Sequence, residues 1–295
     1  MDVVVAGQLA RDLVLRVDAL PGAGAAADVR ERREVLGGKG ANCAVAAARL
    51  GARVGLLAVA GSDEVADGLL AQAAADGVDT RHVVRRPGAA TGLVVEVLED
   101  DGRWRYLQHL PAAVLLTPED VAPAEPALAA ARAVVLQAQQ PGAALRRCAR
   151  AAGTDALVVL DGAPEPDART ALLAAVDVLR ADPAEAALLL DADLATDDVG
   201  RVLAAAHRLL DAGPSIVVLG VEGAGNVAAW ADGELFVPFD DTPVVDTTGG
   251  GDTLTAALTV ALLDGDDPGR ALRWAVEATA DTVSRAGGRP ALGGR

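Results

Sequence analysis

Short β-branched runs recur along this 295-residue chain, each followed by an alanine- and leucine-rich stretch of helical length. VVVAG (3 to 7) precedes the stretch 40 to 50, and RVGLLAVAG (53 to 61) precedes 63 to 76. The alternation resumes with AVVLQ (133 to 137), LVVLD (157 to 161), VDVLR (176 to 180) and SIVVLG (215 to 220). Runs that are apolar throughout, rather than at every second position, suit strands covered on both faces. Such strands alternating with helices predict an α/β fold, a mostly parallel central sheet with helices on both faces. Aromatic residues make up 2% of the chain and apolar residues 52%, so the core must close through small Ala, Val and Leu side chains on closely packed elements.

Two stretches break the alternation. Residues 11 to 35 (RDLVLRVDALPGAGAAADVRERREV) and 90 to 110 (ATGLVVEVLEDDGRWRYLQHL) place apolar and polar residues alternately around the turn signals PGAG and EDDG. This is the pattern of half-exposed antiparallel strands. They predict a small β-sheet lid standing off a core formed by 1 to 10, 36 to 89 and 111 to 295. The lid strands LVLRV (13 to 17) and LVVEV (93 to 97) carry enough outward apolar surface to pair across a twofold axis, which predicts a homodimer through the lid.

With 42 acidic against 26 basic residues the formal net charge is −16, the wrong sign for nucleic acid or an anionic membrane surface. The partner expected is a small molecule. No signal-like or membrane-spanning run is present, and Cys43 and Cys148 lack metal-ligand spacing. A cytoplasmic protein with reduced, buried thiols is expected.

The segment VVDTTGGGDTLTAALTVALL (244 to 263) carries the strongest chemistry. A strand ending at Asp246 gives way to Gly249, Gly250 and Gly251, then to an apolar helix whose first turn contains Asp252. Free backbone N–H groups at a helix start make an anion site. A carboxylate in its mouth suits a transferred anion whose attacking hydroxyl must lose a proton. Taken alone, Asp252 reads equally well as a helix cap. The segment is neither a P-loop nor a dinucleotide turn.

The second constellation is GGKGAN (37 to 42). Lys39 is the chain's one lysine and Asn42 one of two asparagines, with Asn226. A chain that otherwise uses arginine keeps a lysine where a compact point charge fits better than a planar fork.

GGKGAN near the start and DTTGGGD in the last quarter together resemble the two signature regions of the ribokinase-like (PfkB-type) carbohydrate kinases. The resemblance extends to the opening strand with Asp12, the lid-like insertions, DPAE (182 to 185) and VVLGVEGA (217 to 224). It implies transfer of the ATP γ-phosphoryl group to a hydroxyl of a small sugar, with Asp252 as general base and Gly249, Gly250 and Gly251 as anion hole. Asp12, Gly38, Lys39, Asn42 and Gln139 fall at sugar-holding positions. Asp182, Glu185, Gly220, Gly223, Gly249 and Gly251 fall beside the nucleotide, Glu185 also in the Mg2+ network. Asp246, Thr248, Arg285 and Gly287, in the loop SRAGG and its facing turn, match a K+ site formed mainly by backbone carbonyls, though Ala291 stands where some members have serine. Departures from the ribokinase pattern are Gly250 for alanine, Asp182 for asparagine, Gln139 for glutamate, Ala10 for asparagine, and HLPAA (109 to 113) for an HAGAN-like segment. Most lie on the substrate side. The sugar therefore stays open, with a nucleoside kinase (stacking on Trp104 and Tyr106), a phosphosugar kinase (anchored by Arg103 or Arg105) or a catalytically silent sugar-binding protein as alternatives.

Overall fold

The computed structural model describes residues 1–101, 103–190, 195–285 and 287–290. Gly102 of the EDDG turn, Ala286 of the SRAGG loop, and Ala291 lie outside them. Each apolar run read above forms a strand. In chain order the strands are β1 (Val3–Ala6), β2 (Ala10–Val17), β3 (Glu31–Gly37), β4 (Val54–Gly61), β5 (Val78–Asp79), β6 (Val83–Arg86) and β7 (Gly92–Glu99). They continue with β8 (Trp104–His109), β9 (Ala133–Gln137), β10 (Leu157–Asp161), β11 (Val178–Ala181), β12 (Ile216–Val221), β13 (Gly225–Trp230) and β14 (Gly233–Pro238).

The central sheet runs β14-β13-β12-β11-β10-β9-β1-β4-β5, with β6 also pairing β4. Every pairing from β12 through β1 to β5 is parallel, as double coverage requires. The β12-β13-β14 edge is antiparallel. Sequence reading does not separate β13 and β14, because GNVAAW and GELFVP are short and lack regular alternation. Residues of β1 point alternately into two cores: Val3 and Val5 into one with Leu254, Ala257 and Ala275, Val4 and Ala6 into the other with Leu145, Leu172 and Ala205. The small side chains permit very close approach. A Cβ on Gly40 would stand 2.6 Å from the Gly7 Cα, so the helix Lys39–Arg49 starts directly against the end of β1.

The second sheet has the order β3-β2-β7-β8. It is mixed rather than wholly antiparallel: β2 pairs β3 antiparallel but β7 parallel. The two stretches each leave the core sheet and enter the small sheet in the same direction, which places β2 and β7 side by side without a hairpin between them. Its period of two sorts Asp12, Val14, Arg33, Glu96 and Tyr106 onto one face, and Leu13, Leu15, Val95 and Leu107 onto the other.

Candidate active site

The first wall of the site forms where β3 runs into the helix Lys39–Arg49. Gly38 takes φ 86, a left-handed conformation that favours glycine, and its own Cβ would strike the Gln8 carbonyl. A Cβ on Gly37 would fall on the Asp12 carboxyl, so this glycine seats Asp12 against the turn. Burial pushes the Asp12 carboxyl up to about 7, with Glu96, Asp252 and Asp246 adding repulsion. Its Oδ1 is buried without a partner among the described residues.

The second wall comes from the loop after β9 and the helix Pro183–Leu190. Lys39 Nζ donates to Glu185 Oε1 at 3.0 Å, and Gln139 Nε2 donates to the same oxygen at 3.1 Å. Asp182 and Glu185 cap one another reciprocally, each side chain accepting from the other's amide at 2.8 and 3.0 Å. Burial raises the Glu185 pKa, but Lys39, the Asp182 amide and Arg180 outweigh it and the net shift is downward. Burial likewise opposes the charge of Lys39, and Glu185, Asp161 and Asp252 more than offset it. Lys39 therefore stays an ammonium. The Gln139 Oε1, like the Asp12 Oδ1, is buried with no partner among the described residues.

The third wall is the glycine turn. Gly249 is the N-cap of the helix Gly250–Leu263 at φ 70, with no side chain capping the helix. Asp252, in the first turn, is 7% exposed. Among the described residues no side-chain hydrogen bond caps this helix, so the cap reading of Asp252 has no bond to rest on. Burial pushes its carboxyl up to about 7 and Asp161 adds to this, while Lys39, a hydrogen bond from Asn42 and Arg180 pull it down. A buried carboxyl with a raised pKa beside a glycine-rich helix start is chemically able to accept a proton.

The small sheet closes against this turn. Thr248 Oγ1 donates to Glu96 Oε2 at 3.4 Å, Arg33 Nη2 lies 3.4 Å from Asp246 Oδ2, and Tyr106 OH donates to Glu96 Oε1 at 3.2 Å. Asp246 accepts from the amides of Thr248 and Gly287, both at 2.9 Å, which ties the turn to the loop after the helix Pro268–Val283. A Cβ on Gly288 would stand 2.5 Å from the Thr248 carbonyl, so the two loops touch. Arg285, just past the end of that helix, instead pairs with Asp281 in its last turn. Beside the glycine turn lies a groove of about 270 Å³ lined by Phe239, Val244, Gly250, Gly251, Leu254, Val276 and Val283 among others.

The structure thus brings Asp12, Gly38, Lys39, Asn42, Gln139, Glu185 and Asp252 to one place. Gly220 and Gly223 do not line the groove; Asn226, paired with Gly220 across β12 and β13, does. Gly250 meets the Val283 side chain, 3.0 Å from where its Cβ would be. Arg103 and Arg105 are bound to Glu99, and Trp104 and Tyr106 lean on one another with ring centroids 4.8 Å apart. Sequence reading misses Gly37, Asp161 and Arg180. Asp161 and Arg180 close runs that scan only as strands, and nothing local marks them as polar partners. Among the described residues no cluster of three or more His, Cys, Asp or Glu is arranged to hold a metal, and no helix is long and apolar enough to cross a membrane. Cys43 and Cys148 are buried free thiols.

A profile of the pfkB family carbohydrate kinases matches residues 1–292. The chain is 29% identical to the bifunctional ribokinase/ribose-5-phosphate isomerase A of Fructilactobacillus sanfranciscensis over 98% of its own length, and spans 54% of that protein. It is 32% identical to the ATP-dependent ribose-1-phosphate kinase of Halopiger xanaduensis, over 98% of this chain and 94% of that one. The fold matches the Arabidopsis thaliana ribokinase complexed with ribose and ATP at a TM-score of 0.83 and 25% identity, covering 99% of this chain and 96% of that one.

Proposed function

The chain belongs to the pfkB family of carbohydrate kinases, and from that premise we propose that it transfers the γ-phosphoryl group of ATP to a hydroxyl of a pentose or pentose-like sugar. The observation that carries this reading is Asp252, a carboxyl at a glycine-rich helix start that burial pushes up to about 7 and that makes no capping bond among the described residues. The attacking sugar hydroxyl gives its proton to Asp252 as its oxygen bonds to the γ-phosphorus, and the bond from that phosphorus to the bridging oxygen breaks to release ADP. The N–H groups of the turn from Gly249 to Gly251 stabilise the charge spread over the transferred group, and this electrostatic stabilisation lowers the barrier more than the proton transfer does. Asp12 Oδ1 and Gln139 Oε1 are buried acceptors without partners among the described residues, the complement of a polyol. The apolar groove beside the turn suits a flat base. Magnesium arriving with the nucleotide would neutralise phosphate charge, and Asp182 and Glu185 of the DPAE motif are the carboxylates that would hold it, directly or through water.

A coupled assay of ATP consumption over pentoses, hexoses, nucleosides and sugar phosphates tests the reading. Turnover with a free pentose is expected. ATP consumption that no sugar stimulates would leave a binding protein instead. The nucleoside and phosphosugar readings lose support because their proposed anchors are engaged elsewhere: Trp104 with Tyr106, and Arg103 and Arg105 with Glu99.

Potassium belongs to the same proposal. Asp12, Glu96 and Asp246 stand close enough to repel one another, against the nearby guanidinium of Arg33. The loops around Thr248 and Gly288 bring backbone carbonyls to this negatively charged place. Activity should rise when potassium replaces a bulky organic cation at constant ionic strength, and a flat response would remove the ion from the mechanism.

The outward face of the small sheet supports a dimer. Leu107 is 64% exposed there, beside Leu13, Leu15 and Val95. Two copies covering these faces should give twice the monomer mass by light scattering, and Leu107→Glu should return the monomer. A parent protein that is monomeric at assay concentration excludes the shared lid.

A further inference from the structure

Arg180 lies on β11 and is 8% exposed. Its Nη1 donates to Asp161 Oδ1, at the end of the neighbouring β10, at 2.9 Å. Guanidinium and carboxylate commonly join through two parallel bonds. Here Asp161 Oδ2 and Arg180 Nε are both buried and have no partner among the described residues. An unsatisfied buried polar group is costly, and a buried ion pair is often replaceable by apolar side chains without loss. Val159 and Val178, two residues back on the same face of the sheet, are fully buried and show that this face accommodates apolar side chains at this depth. Fold stability alone therefore gives little reason for a half-bonded pair in this place.

The position of the guanidinium supplies one. A Cβ on Gly251 would stand 2.8 Å from Nη2 and 3.1 Å from Nη1, so the guanidinium packs flat on the third glycine of the anion-binding turn. Arg180 also lines the groove beside that turn together with Asn226, Gly250 and Gly251. On its other side it faces Asp161, Glu185 and Asp182, and its charge reaches Asp252. It is a fixed cation between the groove and the proton acceptor.

We infer that Arg180 binds the γ-phosphoryl group at the glycine turn and stays with it through transfer, while Asp161 is a positioning residue that holds the guanidinium against Gly251. The inference rests on the kinase reading for its ligand. Arg180 gives up no proton and forms no covalent bond; it offsets the charge carried by the transferred phosphoryl oxygens as one phosphorus–oxygen bond forms and the other breaks. Asp161 keeps the side chain from turning into the acidic cluster around Glu185 before the nucleotide arrives.

Calorimetry without sugar separates this role from simple neutralisation of Asp161. The parent protein should bind the β,γ-imido analogue of ATP more tightly than ADP, and Arg180→Met should weaken the analogue roughly 10- to 100-fold, the loss expected for one charge-assisted hydrogen bond. ADP affinity should change by less than about threefold, since ADP lacks the group contacted. Arg180→Lys keeps a positive charge beside Asp161 and should lose part of the same selectivity. Equal weakening of both nucleotides, or of neither, in whichever of the two variants keeps the parent melting temperature would overturn the inference. The two readings fail separately: retained selectivity with no sugar phosphorylated anywhere on the panel would reject the kinase reading and leave the Arg180 contact standing.

Discussion

Asparagine in place of aspartate at position 252 should leave the fold intact and nucleotide affinity near that of the parent, and lower kcat by roughly two to four orders of magnitude, the range for losing a positioned base. The side chains are nearly isosteric, and the one interaction that Asn42 makes with the carboxyl has an amide counterpart. Stability should not fall. A buried carboxyl whose pKa is raised to about 7 in the fold favours folding in its neutral form and loses that contribution as pH rises from the ordinary aspartate range through 7. At pH 8 the variant should melt at or above the parent temperature. The same shift fixes the pH profile of the parent. Because the base must be ionised, kcat/KM should fall on the acid side with a midpoint near 7 and not near 4. A variant with parental turnover would remove Asp252 from the chemistry, and an acid limb near 4 would mean that burial does not control this group.

Gly251→Ala should lower kcat/KM by roughly 100- to 1,000-fold, comparable to removing one donor of an oxyanion hole. The added methyl meets the Arg180 guanidinium at 2.8 Å, so either the cation moves or the turn opens. Gly250→Ala is the control. Its methyl meets Val283 Cγ1 at 3.0 Å, an apolar contact away from any charge, and it removes a glycine from a helix start. Gly250→Ala should keep activity within about threefold of the parent, because alanine retains the backbone N–H that the anion hole uses and the added methyl meets only apolar packing. Equal activity in the two alanine variants would show that crowding of Arg180 is immaterial.

The sequence reveals those parts of the molecule where one residue type can do only one thing locally. Continuous apolar runs such as VVVAG and LVVLD have no solvent face, so the parallel sheet follows from them. The glycine turn before Asp252 is visible because three glycines at a helix start have few other uses. Arg180 and Asp161 are not visible, because each is a single polar residue near a strand end and their pairing depends on β10 and β11 lying side by side. Gly37 is hidden for the same reason. Its need for a missing side chain comes from Asp12, 25 residues earlier on a facing strand. The parallel course of β7 against β2 escapes the sequence pattern because alternation sets which face a residue occupies and carries no information on strand direction.

The pairing of Lys39 with Glu185 makes the protein its own reporter. The chain has one ε-amine, its side chain 37% exposed and tethered at 3.0 Å to a carboxylate of the DPAE motif. While the tether holds, neighbouring carboxylates keep the amine protonated, and a protonated amine is a poor nucleophile toward acylating reagents. Any event that draws Glu185 away quickens acylation at this one side chain. The mass of the modified peptide then times the loosening of the site, with no engineered tag and no competing lysine to subtract.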